Sequence, residues 1–243
     1  MKSIKTLALV TGLLAISGVS QAQFSSTWTV VSDYDFRGWS QSAKDPALQG
    51  SADYAFGESG FSIGAWASSS IDFGQIPDGT GGVRDIDADV ELDLYGGYNG
   101  KINDTFGWSF LANYYTYPGS SDVEDYLEVK AGLSAGNFGF NQWYSDDWLG
   151  SGSSALYSEA NYSQPIGEKF SLDFHVGYSW GDFWEDAETV DYSVTGNVTV
   201  GNFKIFGKFT GTDASGDLKV EDDANNNEPR FLIGVSTTFP WGK

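Results

Sequence analysis

Taken two residues at a time, segment after segment of the chain alternates between apolar and polar positions. Trp28, Val30, Ser32, Tyr34 and Phe36 fall on even positions, with Thr29, Val31, Asp33, Asp35 and Arg37 between them. Phe170, Leu172, Phe174, Val176, Tyr178 and Trp180 alternate with Lys169, Ser171, Asp173, His175, Gly177 and Ser179. Val190, Tyr192, Val194 and Val198 alternate with Asp191, Ser193, Thr195 and Asn197. A period of two belongs to a strand with unlike faces, whereas a helix would place apolar residues three and four apart. Each run is about ten residues long, the length of a tilted strand through hydrocarbon.

The punctuation is equally regular. Tight polar turns at 57–60, 99–104, 136–137, 167–168 and 201–202 alternate with longer acidic or Gly/Ser-rich stretches at 38–46, 72–86, 118–123, 149–154, 181–188 and 212–229. Bacterial membrane barrels have short periplasmic turns and long extracellular loops. The pattern therefore predicts an all-β fold, a transmembrane antiparallel up-and-down barrel of about twelve strands with both ends in the periplasm. Strand-end aromatics (Tyr114, Tyr115, Tyr117, Trp143, Tyr144, Trp148) suit an interfacial girdle. A secreted β-sandwich also alternates, but it gives no reason for connections to alternate in length or for the polar faces to be charged.

The first 22 residues do not follow this pattern. Lys2 and Lys5 precede a short apolar run from Leu7 to Ile16, and Ser20-Gln21-Ala22 supplies small residues for cleavage. This predicts a signal peptide at 1–22, a mature start at Gln23, and one barrel domain over 23–243. Residues 17–22 interrupt the run too soon for it to span a bilayer as a helix.

Composition narrows the function. Two of the 13 basic residues lie in the leader, leaving 11 against 33 acidic residues, a net −22. Such a chain repels phosphate backbones, so no nucleic-acid partner is expected. With no cysteine and one histidine, neither a disulfide nor a multi-histidine metal site can form, and no cofactor is expected. Asp85, Asp87 and Asp89 are spaced like a calcium loop, but Val90 and Gly96 stand where an EF-hand needs Gly and Glu. The expected surroundings are a lipid bilayer with lipopolysaccharide, reached through the outer-membrane assembly machinery. A monomer is expected, because neither the extra strands nor the inward-folded loop of large trimeric porins is visible.

The stretch Val31-Ser32-Asp33-Tyr34-Asp35-Phe36-Arg37-Gly38-Trp39-Ser40-Gln41, followed by Asp45-Pro46-Ala47-Leu48-Gln49-Gly50 and Asp53-Tyr54, resembles the N-terminal signature of the TorF-type family of outer-membrane porins. Asp93-Leu94-Tyr95-Gly96-Gly97-Tyr98, Tyr114-Tyr115-Thr116-Tyr117-Pro118-Gly119, Tyr144-Ser145-Asp146-Asp147, His175-Val176-Gly177-Tyr178-Ser179 and Asp191-Tyr192-Ser193-Val194 fit the same family. The resemblance covers nearly all of the mature chain. It implies a bacterial outer-membrane location and a porin-like role, and it carries over neither a substrate nor a catalytic residue. One departure concerns the C-terminus, where barrels usually end on an aromatic. Here Pro240-Trp241-Gly242-Lys243 follow Phe239, so either Phe239 or Trp241 is the terminal aromatic.

Parity assigns faces to the charges. If Trp28, Tyr34 and Phe36 meet lipid, then Asp33, Asp35 and Arg37 meet the lumen. The same rule turns Asp53, Asp89, Glu91, Asp93, Glu128, Lys130, Asp173, His175, Asp191, Lys204, Lys208 and Arg230 inward. Closure of the last strand on the first would gather Arg37, Lys204, Lys208 and Arg230 into one basic wall. An acidic wall would face it, drawn from Asp33, Asp35, Asp53, Asp89, Glu91, Asp93, Asp173 and Asp191. Opposed walls orient dipolar solutes, so the expected function is passive diffusion of small polar solutes, with anions or zwitterions accepted at the basic wall. Two alternatives remain: a closed structural or adhesive barrel, and an outer-membrane lipid enzyme. The enzyme reading needs a histidine on the lipid side, and parity turns His175 inward beside Asp173 or Asp191, so no enzyme is expected.

Overall fold

A computed structural model describes residues 23–77, 83–121 and 123–241, so the expected leader lies outside the described residues. Twelve strands close into one barrel: β1 (Gln23–Val31), β4 (Ala47–Ala55), β5 (Phe61–Pro77), β6 (Val83–Lys101), β7 (Phe106–Thr116), β8 (Tyr126–Ala135), β9 (Phe138–Ser145), β10 (Ala155–Ile166), β11 (Phe170–Trp180), β12 (Thr189–Val200), β13 (Phe203–Thr212) and β14 (Arg230–Phe239). Each pairs antiparallel with its sequence neighbours. The last strand returns to the first, with Val235 opposite Val30, and no sheet edge is left. Full closure is what a sheet needs in lipid, where no water can satisfy an edge.

The alternation sorts the side chains inside out. Leu133 is 59% exposed on the outer surface, while Lys130 on the same strand is 2% exposed inside. Trp28, Leu48, Ile63, Leu94, Phe110, Phe140, Phe174, Val194, Ile205 and Ile233 are exposed around the circumference. In water this apolar belt would far exceed what a soluble monomer tolerates; against hydrocarbon it costs nothing. The interior is polar, with Glu91, Asn113, Glu128, Asn141, Glu159, Asp191 and Thr210 buried there.

Short turns and both described ends of the chain share one rim, and the long connections share the other. Strand β14 ends at Phe239, and Trp241 stacks back on it with ring centres 4.8 Å apart. β5 and β6 reach to Pro77 and Val83, well into the expected loop at 72–86.

The largest departure from expectation is at the N-terminal motif. The first strand leaves the sheet at Val31, and residues 32–46 fold into the barrel. There they form a small hairpin of β2 (Asp35–Phe36) and β3 (Trp39–Ser40). An inward-folded connection was not expected. Tyr34 and Phe36, assigned to lipid by parity, instead pack in an interior cluster with Ile71, Tyr115, Tyr117, Tyr126 and Trp148. The chain bends at Ser32 and Asp33, where the strand and its period of two end, and turns again at Arg37, Gly38, Ala43 and Lys44, all at positive φ. Gly38 is required at its place, since a Cβ there would lie 2.6 Å from Thr212 Cγ2.

Candidate functional site: a pinned segment in an acidic lumen

The inward segment is fastened to the barrel wall at two places. On one side Arg230, the first residue of β14, donates Nε to Asp33 Oδ2 at 2.6 Å, Nη1 to the Gly38 carbonyl at 2.7 Å, and Nη2 to Asp35 Oδ1. Lys208 of β13 donates to the other oxygen of Asp35 at 2.6 Å, and Thr210 adds a hydroxyl at 3.2 Å. Ser40 caps Asp33 Oδ1, and its own backbone N–H reaches the Asn226 carbonyl at 2.8 Å. On the far side Arg37 crosses to β8, where Nη2 meets both oxygens of Glu128 at 2.9 and 2.8 Å. Tyr34 donates to Glu91 at 3.3 Å, and Phe36 stacks against Trp148.

These contacts correct the two-wall expectation. Lys208 and Arg230 do lie together, but they are joined to Asp33 and Asp35 rather than facing them. Arg37 is not part of that group, because its segment carries it across the lumen to Glu128. Lys204 sits four positions nearer the short-turn rim, its ammonium 5.6 Å from the Phe206 ring centre. Asp89 is exposed and Ala88 is buried instead. Ser70 across the ladder has φ 64, and the side-chain alternation of both strands slips there.

The remaining predicted carboxylates are met by hydroxyl and amide donors, joined at Asp191 by a histidine. Asp53 accepts from Ser51 at 2.8 Å and from Tyr95. Asp93 accepts from Asn113 at 3.1 Å, and Asp173 from Ser163 and Asn197 at 2.6 and 2.7 Å. Asp191 is bonded to Tyr157 and to His175 Nε2, which makes it, and not Asp173, the partner of the histidine. Among the described residues no Lys or Arg nitrogen lies within 4 Å of Asp53, Glu91, Asp93, Glu159, Asp173 or Asp191.

The sequence-based expectation missed several lumen residues. Glu159 takes hydrogen bonds from Trp143 and Asn141 at 3.0 and 2.8 Å. Of the aromatics assigned to a girdle, Tyr114 and Tyr144 face out, while Tyr115, Tyr117 and Trp148 are buried inside and Trp143 covers Lys130. The available signal was parity: Tyr115 and Trp143 each sit next to an outward tyrosine, so they had to point inward.

A family model matches residues 15–239, described as a bacterial protein of unknown function, Gcw_chp. The chain belongs to the Gcw_chp family. No curated protein matches it. Among solved structures, it is similar to the KdgM porin in complex with disordered oligogalacturonate, at 10% identity, TM-score 0.55, and coverage of 88% of this chain and 99% of that one. It is similar also to the NanC porin, at 12% identity, TM-score 0.55, and the same coverage of each chain. At that identity the likeness establishes for this Gcw_chp chain the barrel fold found in porins.

Proposed function

We propose that this chain is a bacterial outer-membrane channel of porin type that passes small polar solutes, prefers cations, and is narrowed by its inward segment 32–46. The observation that carries the reading is a closed barrel with an apolar outside, whose lumen holds carboxylates beyond those paired to basic side chains. Arg37, Lys208 and Arg230 are each neutralised by a carboxylate within 3 Å, so they contribute little net field to a passing ion. The donors that meet Asp53 and Asp173 are hydroxyls and amides, and no Lys or Arg nitrogen among the described residues lies within 4 Å of either to offset its charge. Charge at the constriction, rather than on the outer loops, sets preference, since screening over roughly 8–10 Å isolates the two. The expected preference for anions at a basic wall is thereby reversed. Resemblance of the N-terminal motif to TorF-type porins and the porin fold support the same reading, which takes the chain as a monomer set among lipopolysaccharide with no enzymatic role.

The interior aromatic cluster favours a second reading, a closed barrel that serves only as structure. Planar-bilayer recording separates the two. The purified protein is expected to give small ohmic openings with a cation-preferring reversal potential in a KCl gradient. Replacing residues 33–45 by a short Gly/Ser linker should raise conductance several-fold. Silence from both proteins, each still heat-modifiable on gels, would establish the structural barrel, and an anion-preferring reversal potential would refute the charge assignment.

A further inference from the structure

Arg37 ends in a box assembled from several elements. Its guanidinium carbon lies 4.1 Å from the ring centre of Tyr157, 4.7 Å from Phe36, 4.9 Å from Trp148 and 5.8 Å from Trp143. Glu128 closes the box, itself only 1% exposed and held by the Tyr115 hydroxyl at 2.9 Å. Apart from Phe36, every wall of the box belongs to the barrel or to the 146–154 loop, while the occupant belongs to the inward segment. Withdrawal of that segment would leave three aromatic rings and one carboxylate converging on a vacant position. Aromatic faces with a single carboxylate form a receptor for a planar organic cation, which they bind through ring quadrupoles and a charge-assisted hydrogen bond. Arg230 and Lys208 differ, being met by carboxylates and a carbonyl, with no aromatic face among the described residues. Arg37 also has φ 52, in the left-handed region that side-chain-bearing residues seldom adopt, so the fold holds it in place against its own backbone preference.

We propose that this box is a binding site for guanidinium-headed organic cations, that Arg37 fills it as a tethered competitor, and that such cations are the solutes the channel takes. The last clause rests on the channel reading, whereas the binding itself does not. The test is calorimetric titration of the refolded protein with methylguanidinium chloride. Arg37→Gly, which relieves the positive φ and empties the box, is expected to bind saturably in the millimolar range. The native protein and the double variant Arg37→Gly/Glu128→Gln are each expected to bind at least tenfold more weakly. A folded, heat-modifiable Arg37→Gly protein with no saturable binding would overturn the site. Should that variant fail to fold, Ser42→Cys in the otherwise native chain replaces it, because Ser42 is 2% exposed on the same segment. Methylguanidinium should then speed thiol labelling at least threefold over equal sodium chloride, and equal rates would overturn the proposal. Conductance separates the two readings. Saturable binding by proteins that never conduct keeps the site and refutes the solute assignment, while cation conductance without binding or block keeps the channel and refutes the site.

Discussion

Arg230 shows how much of the lumen one side chain can organise. Its guanidinium engages two carboxylates and a carbonyl, and its side chain is 9% exposed. Removing one member of a buried pair leaves the other desolvated and uncompensated, which typically costs about 3–5 kcal/mol. Arg230→Gln is therefore expected to lower unfolding stability in lipid vesicles by about that amount. Asp33→Asn added to Arg230→Gln should recover part of it, since the stranded charge is then gone. Urea titration followed by tryptophan fluorescence checks both, and a loss below about 1 kcal/mol would mean that the pair is effectively solvated. Gly38 is the second such residue. Gly38→Ala places a methyl against Thr212 and the Gly211 carbonyl at positive φ, so it should displace the segment and raise conductance with the barrel intact.

The inward segment, as an element, does not carry its own stability. Its hairpin has two residue pairs, too few to persist alone, so its order comes from anchors at Arg230, Lys208 and Glu128 and from packing of Phe36. Hydrogen exchange should show this as a separable unit. In the native protein the Ser40 and Gln41 amides, bonded to Asn226 and Tyr34, should exchange slowly. In Arg230→Gln they should exchange at least tenfold faster, with strand amides such as those of β10 and β11 unchanged. A uniform rise across strands and segment would show that segment and barrel open together. The barrel strands themselves were legible from alternation because each has one lipid face and one wet face, and a slip of one residue would reverse every side chain. The segment was not legible, because its apolar residues face an interior that exists only once twelve strands have closed around it.

At the scale of the whole molecule, the two rims differ in chain length and so predict orientation. With no native cysteine, single thiols report it directly. Gly79, the centre of the expected loop at 72–86, falls outside the described residues, and Asn226 is 1% exposed, a poor labelling site. Asp222 in the same long connection is exposed, as are Ser59 and Asn202 in short turns. Asp222→Cys is expected to label on intact cells, and Ser59→Cys and Asn202→Cys only after lysis. The opposite result would turn the barrel over. The same global view underlies the proposed charge preference. Net charge is −20 for the full chain, but the lumen's sign depends on which carboxylates remain unpaired after closure.

Alternation by itself determined the fold class, strand number, outer surface and the contrast between the rims, because a side-chain period of two in a closed sheet is a local property that each strand displays alone. It also placed Asp53, Glu91, Asp93, Glu128, Asp173, His175 and Asp191 inside, where the structure has them. Tertiary structure decided everything that depends on contacts across the lumen. It took Tyr34 and Phe36 from lipid to the interior, sent Arg37 to Glu128 instead of to Arg230, and turned Asp89 outward at the slip opposite Ser70. Those partners are 91 and 197 residues apart in the cases of Arg37–Glu128 and Arg230–Asp33. No local pattern encodes such pairs, because their energy arises only when closure removes both charges from water and leaves each the other as its nearest partner.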